Sequence, residues 1–245
     1  PATTNVASHF LSLAKSVLLF PDSKIGWYRS AVREGLEVIR KNRPSVIYST
    51  SPPFTAHLVA KRLHRLTGVP WVADLRDLWS ENHQTADLPR WRQLLETRTE
   101  KKTLSKADGI VTVSHTFARQ LSASLGMMNG NQAVITNGFD PADYGNDPPA
   151  RQDKFRISHM GNLYGMTRDP IPVFRSLSRL VAKGIIDPAR IELNFIGISP
   201  NSSSGGRLKE YAKSTGLTAV LTVSESVSYR ESLARQQSST VLLLV

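Results

Sequence analysis

Short apolar runs rich in β-branched residues alternate with longer helical patterns along most of this chain. In the first unit, apolar residues lie at helical spacing between Tyr28 and Ile39, Pro44 breaks the pattern, and the apolar run 46–48 follows. Similar runs recur at 69–74, 109–113 and 133–136, each after a helical pattern. Strands joined by helices in this way pair in parallel. The pattern therefore predicts an α/β fold, with a parallel sheet covered by helices on both faces.

The alternation stops at residues 141–154, which are rich in turn formers and have no hydrophobic period. It restarts with apolar runs at 155–160, 191–196, 219–223 and 241–245. We therefore expect an N-terminal lobe at 1–140, a linker at 141–154 and a C-terminal lobe at 155–245. Since the last run has no helix after it and the chain begins with Pro1, we expect further residues at both ends and an incomplete second lobe.

Charge and composition restrict the classes of partner. The chain carries 31 Lys and Arg against 20 Asp and Glu, a net charge of +11 that favours nucleic acid, an anionic membrane face or phosphorylated substrates. We predict no nucleic-acid binding, because zinc-finger spacing, an RNP-like aromatic strand and an Arg-rich tail are absent from the sequence. There are no cysteines, which fits a cytoplasmic protein. The apolar runs are too short to cross a bilayer.

Polar residues follow the predicted strands, where ligands of α/β sheets gather. Ser51 and Pro52 precede a predicted helix whose free N–H groups could face a ligand, although simple helix capping explains the pattern equally well. Asn137 and Asp140 follow the fourth strand. His57 and His64 are seven residues apart with no third ligand at suitable spacing, so we predict no metal site.

The segment 74–79 is the most informative of these strand ends. Asp74, Arg76 and Asp77 place three charges beside Trp79. A carboxylate next to a guanidinium is held ionised and suits hydrogen bonding to sugar hydroxyls or proton acceptance. An indole offers a flat apolar face against which a sugar ring can pack. The alternative is a structural ion pair within a loop.

Several stretches, in this order along the chain, resemble bacterial and archaeal members of glycosyltransferase family 4. They are residues 20–22, 25–28, 46–53, 70–79, 108–114 and 134–140. The resemblance implies two Rossmann-like parallel-sheet lobes of the GT-B type, with acceptor bound by the first lobe, nucleotide-sugar by the second, and reaction in the cleft. It also implies retention of anomeric configuration and usually no metal or other cofactor.

The resemblance assigns roles to residues at matching positions. It implies catalytic roles for Asp77, Arg76 and Asp74, although several family members carry a histidine where Arg76 stands. The acceptor would contact Ser51, Pro52, Trp79, Asn137 and Asp140. The donor would contact Gly161, Asn162, Gly165, Arg168 and Gly197, with Arg168 in place of the family's usual lysine. We expect the segments 74–79 and 161–168 to face each other.

These implications lead to a retaining sugar transfer from a nucleoside-diphosphate sugar to a saccharide or lipid-linked acceptor in polysaccharide or glycolipid assembly. The protein would be cytoplasmic, in peripheral contact with the anionic inner membrane face. The family's first glycine-rich segment and its glutamate pair would lie outside residues 1–245, so we expect the chain to be inactive alone. A non-catalytic nucleotide-sugar-binding scaffold and a nucleotide-sugar epimerase of the same fold remain alternatives.

Overall fold

A computed structural model describes residues 18–81, 85, 88–126, 131–144, 153–164 and 168–245. The chain divides into two compact units, Pro1–Gly138 and Phe139–Val245, called the N-terminal and C-terminal units below. Each contains one four-stranded sheet. The predicted linker at 141–154 stays a prediction, since residues 145–152 lie outside the described residues.

All strands of the N-terminal unit are parallel, and their order in the sheet, β1-β2-β3-β4, follows the chain. The helices are α1 (Tyr28–Asn42), α2 (Thr55–Thr67), α3 (Arg90–Leu104) and α4 (His115–Leu125), and the strands are β1 (Ile47–Ser51), β2 (Trp71–Leu75), β3 (Gly109–Thr112) and β4 (Gln132–Val134). The helix ends follow from local sequence: Gly68 and Gly126 close α2 and α4 with φ of 72° and 66°, and the Ser114 hydroxyl accepts the first-turn N–H of Phe117 in α4.

One face of this sheet carries the core. Trp71, Ala73 and Leu75 of β2 are fully buried, in a cluster that also contains residues of α2, α3 and α4. Right-handed crossovers between strands that follow chain order place every connecting helix on the same face. Tyr48 and Thr50 alternate onto the opposite face and are exposed. The prediction of helices on both faces is therefore wrong for the described part of this unit.

The C-terminal unit has a different strand order, β7-β6-β5-β8, again all parallel. Its strands are β5 (Phe155–Met160), β6 (Ile191–Ile196), β7 (Leu221–Ser224) and β8 (Val241–Leu242), and its helices are α5 (Ile171–Ala182), α6 (Ser203–Thr215) and α7 (Tyr229–Gln237). The chain moves outward from β5 to β7 and then returns to pair β8 with the other side of β5. This reversal makes the β5/β8 pair the topological switch point of the sheet, where α/β proteins bind ligands.

The start of α6 is capped by its own sequence. The Ser202 hydroxyl accepts the N–H of Gly205 and so caps the helix. Gly205 is buried, and a Cβ there would lie 2.2 Å from the carbonyl oxygen of Ser199. Gly206 has open space at the same atom. Backbone therefore approaches Gly205 too closely for a side chain, while Gly206 is an ordinary helical position.

We predict that Gly205→Ala destabilises the C-terminal unit by about 1–3 kcal/mol, because the new methyl group overlaps backbone that cannot move freely. Gly206→Ala is the matched control and should be neutral or slightly stabilising. All four tryptophans, Trp27, Trp71, Trp79 and Trp91, belong to the N-terminal unit. Urea unfolding followed by circular dichroism should shift for Gly205→Ala while the tryptophan fluorescence transition does not. Equal stability of both variants would contradict the prediction.

A buried polar chain joins α2 to the sheet of the N-terminal unit. The His57 Nδ1 and the Ser49 Oγ are 2.8 Å apart, and the Trp71 Nε1 donates to the same oxygen at 2.8 Å. Burial lowers the pKa of His57 to about 4, against a smaller opposing effect of the Asp74 carboxylate. His57 is therefore neutral near pH 7, packed in the core.

Since the unfolded chain protonates this histidine near pH 6.5 and the folded chain only near pH 4, stability should fall as pH decreases through that interval. At pH 4 this difference in protonation lowers the free energy of unfolding by about 3 kcal/mol. We predict that His57→Gln flattens the dependence of unfolding free energy on pH between 6.5 and 4, as measured by tryptophan fluorescence in urea. An unchanged slope in the variant would show that other groups cause the acid sensitivity.

Candidate active site

The carboxyl ends of the strands in the N-terminal unit lie at one level. Ser51 pairs with Leu75, Leu75 with Thr112, and Thr112 with Val134. A cavity of about 410 Å³ opens at this edge, and its lining residues come from β1, β2, β3 and the segment after β4. They are Tyr48, Asp74, Arg76, Val111, Val113, Ile135, Thr136, Asn137 and Gly138. Three predicted site residues, Asp74, Arg76 and Asn137, thus meet in one cavity.

Asp74 is the polar centre of this cavity. Its residue is only 4% exposed, and its Oδ2 accepts the Thr50 hydroxyl at 2.8 Å. The Arg76 Nε approaches the same oxygen at 3.5 Å, while the remainder of the guanidinium side chain is largely exposed. These contacts fix the orientation of a buried carboxylate that lines the cavity.

Tyr48 is a further member of the site that sequence reasoning missed. Partial burial, and then its hydrogen bond with Asp74, raise the pKa of the Tyr48 phenol above its ordinary value. The phenol is therefore a stable donor to the carboxylate. The signal was present in the sequence, because Tyr48 and Thr50 alternate with Ser49 and Ser51 along β1 and so share one face of the strand.

Trp79 does not offer a face to a ligand in this structure, which corrects the expectation of sugar stacking. It is fully buried, its ring stacks on Phe54 at 5.0 Å, and its Nε1 donates to the Glu96 Oε2 at 2.7 Å. Glu96 also pairs with the buried Arg92 at 2.8 Å. Trp79 thus anchors the segment after β2 to α3, and the neighbouring Asp77 is exposed and does not line the cavity.

The start of α2 is capped from within the chain. The Asp22 carboxylate accepts both the N–H and the hydroxyl of Thr55 at 2.8 Å. This N–H group is therefore satisfied by helix capping within the chain, which favours the capping alternative over ligand binding. Ser51 is buried at the end of β1, and Pro52 beside it is exposed.

Asp140, the last predicted acceptor residue, belongs to the C-terminal unit. Its carboxylate accepts the N–H of Ala142 at 2.9 Å and caps the short 3-10 turn Pro141–Asp143. Asp140 is not among the residues that line the cavity around Asp74.

Two predicted donor-site glycines meet at the carboxyl edge of the C-terminal sheet. Gly161 and Gly197 have φ of 121° and 94°, and a Cβ on Gly197 would lie 3.4 Å from backbone atoms of Gly161. Their N–H groups donate to the carbonyls of Ile196 and Ser224. These glycines thus permit close approach of strand ends, and both N–H groups are used in hydrogen bonds within the chain.

The loop after β5 carries a cation. Arg168 is exposed, and its guanidinium lies 4.8 Å from the centre of the Tyr164 ring. The Asn162 side-chain oxygen accepts the Tyr164 N–H at 2.7 Å, which uses that oxygen for the turn itself. Gly165, another predicted donor contact, lies outside the described residues. Among its described residues, the loop therefore presents the positive charge of Arg168, packed on Tyr164, after the carboxyl end of β5.

His159 on β5 is a buried residue that the sequence analysis did not identify. Its Nδ1 lies 3.1 Å from the carbonyl of Leu243, just beyond β8. Burial lowers the pKa of His159, the hydrogen bond to Leu243 opposes this, and the Arg168 charge lowers it further.

No three His, Asp or Glu residues among those described lie close enough together to hold a metal ion. Each helix in the described ranges is too short or too polar to cross a lipid bilayer.

Several solved structures share the fold of this chain. The chain is similar to a lipopolysaccharide outer core galactosyltransferase, WaaB (16% identity, TM-score 0.60, 89% of this chain and 54% of that one). It is also similar to sucrose-phosphate synthase from Thermosynechococcus elongatus (15% identity, TM-score 0.61, 89% of this chain and 54% of that one). A third similar structure is Anabaena HepE in complex with UDP (13% identity, TM-score 0.61, 86% of this chain and 55% of that one). The chain spans about half the length of these structures.

No curated protein matches the chain. The family described as "Glycosyl transferase 4-like domain" matches residues 15–138, half of the chain. That range covers every strand of the N-terminal sheet and the cavity around Asp74. With two parallel α/β sheets of four strands, the GT-B-type Rossmann arrangement is confirmed. The chain belongs to the glycosyl transferase 4-like domain family.

Proposed function

We propose that the full-length protein transfers a sugar from a nucleoside-diphosphate sugar to a hydroxyl of a saccharide or lipid-linked acceptor, with retention of anomeric configuration. The acceptor oxygen forms a bond to the anomeric carbon, the bond from that carbon to the diphosphate breaks, and the hydroxyl proton passes to the Asp74 carboxylate. The observation that carries the proposal is the oriented, buried carboxylate of Asp74 in a cavity at the carboxyl edge of a family-matched sheet.

The N-terminal cavity suits the acceptor. Asp74 can accept a hydrogen bond from a sugar hydroxyl, and the exposed guanidinium of Arg76 adds donors at the rim. Asn137 supplies a side-chain amide from the segment after β4. Asp77 lies outside the lining, so we assign the polar contact in the cavity to Asp74 and keep Asp77 as a second candidate at its exposed margin.

The C-terminal unit suits the donor. Its carboxyl edge has three features that suit a departing diphosphate. They are the switch point beside β5, the close pair Gly161 and Gly197, and the positive charge of Arg168. Solved relatives with this fold, forms of Anabaena HepE, hold UDP or UDP-glucose. We propose that the reaction uses no metal or organic cofactor, with charge stabilisation supplied by the protein.

We further propose that the protein acts in polysaccharide or glycolipid assembly at the cytoplasmic face of the membrane. The net charge of +11 supports attraction to an anionic lipid surface and to phosphorylated acceptors.

We predict that Asp74→Asn in the full-length protein lowers kcat for sugar transfer at least about a hundredfold, because the amide cannot hold or accept the acceptor proton as the carboxylate does. Asp77→Asn is the matched comparison and should have a smaller effect. The assay follows labelled sugar from donor to acceptor, with tryptophan fluorescence confirming that both variants fold. A large loss in Asp77→Asn with little in Asp74→Asn would reverse the assignment.

The same assay separates the alternatives. Sugar transfer that requires an acceptor supports the transferase, while a changed nucleotide-sugar without any acceptor would indicate an epimerase. Donor binding with no turnover in the unsubstituted full-length protein would indicate a non-catalytic scaffold.

A further inference from the structure

A second pocket of about 400 Å³ lies on the helical layer of the N-terminal unit, away from the Asp74 cavity. Its lining comes from the start of α1 with the turn before it, the outward side of α2, and the last turn of α3. The lining residues are Ile25, Tyr28, Leu58, Lys61, Arg62, Arg65 and Lys102. It shares no residue with the lining of the cavity at the carboxyl edge. The family assignment gives this pocket no role.

All the charged groups that line this pocket are cations. Four of its seven lining residues are Lys or Arg and none is acidic. Within the described ranges, none of these four forms an ion pair with a carboxylate. Like charges in one partly enclosed space repel one another. A bound anion would relieve that repulsion, which gives the pocket a chemical preference for negative ligands.

Lys61 is held in position for such a ligand. Its Nζ donates to the carbonyl of Lys102 at 2.9 Å and lies 3.5 Å from the Thr103 hydroxyl. An ammonium group has three N–H donors, so one remains. Partial burial, and then the charges of Lys102 and Lys106, lower the pKa of Lys61. The lowered pKa is consistent with a cation that lacks its counter-charge.

Apolar side chains complete the pocket. Ile25, Tyr28 and Leu58 lie among the cations, and Trp27, next to Tyr28 in the chain, is 51% exposed. Basic groups beside an exposed tryptophan are typical of surfaces that meet phosphate headgroups at a lipid interface. The same cations would also suit a free phosphorylated compound.

We propose that this pocket binds the phosphate group of an anionic ligand, supplied either by a lipid headgroup or by a soluble phosphate compound. Lys61 provides the positioned donor, and Arg62, Arg65 and Lys102 provide the surrounding charge. This site is separate from donor binding in the C-terminal unit, so either proposal can fail without the other.

The first test measures hydrogen exchange of the full chain with and without inorganic pyrophosphate, because this readout is local and is not confused by binding in the C-terminal unit. Peptides covering residues 58–65 should exchange more slowly with pyrophosphate. The double variant Arg62→Gln/Arg65→Gln should need about tenfold more pyrophosphate for the same protection. The control Arg98→Gln/Arg119→Gln removes the same charge from exposed positions of α3 and α4 outside the lining and should resemble the unsubstituted chain.

The second test measures sedimentation with phosphatidylcholine vesicles that contain or lack phosphatidylglycerol. Binding only to the anionic vesicles would identify a lipid headgroup as the source of the phosphate. In that case the pocket variant should bind them about thirtyfold more weakly than the control variant does. Protection by pyrophosphate without vesicle binding would identify a soluble phosphate compound. The proposal is overturned if pyrophosphate does not protect residues 58–65 and anionic vesicles bind no better than neutral ones, or if the control variant loses as much as the pocket variant.

Discussion

Parallel pairing in a common register is the constraint on which both units depend. Because Ser51, Leu75 and Thr112 end their strands at one level, the residues beside and after them converge at a single edge. That convergence brings the Thr50 hydroxyl to the Asp74 carboxylate, residues 24 positions apart in the chain. A slip of one residue in β1 would move Thr50 to the opposite face and leave Asp74 without this donor.

The two sheets use the same pairing with different strand orders, and the difference has chemical consequences. In the N-terminal unit the order follows the chain, so the described helices cover one face and the polar side chains of Tyr48 and Asp74 lie on the other. A carboxylate buried there is tolerated because hydroxyl and guanidinium donors satisfy it. In the C-terminal unit the order reverses beside β5, the strand that contains His159 and leads into Gly161, and such reversals are where α/β proteins bind ligands.

Local rules predicted the elements well and the burial of polar groups poorly. Strands, glycine closures such as Gly68 and the restart of the pattern after residue 154 depend on near neighbours, so the sequence reveals them. Trp79 was misread because its partners, Phe54 and Glu96, are far away in the chain and known only once the helices pack. The hydrogen-bond partner of the Gly197 N–H could not be predicted for the same reason, since the carbonyl of Ser224 reaches Gly197 only across the sheet.

We place the chemistry at the carboxyl edge of each sheet, and a crystal structure of the full-length protein with UDP is the sharpest test of that placement. We expect the diphosphate beside the loop that follows β5, with its oxygens in contact with the Arg168 guanidinium and no metal ion between them. Diphosphate bound at the amino edge of that sheet, or only on the N-terminal unit, would contradict it.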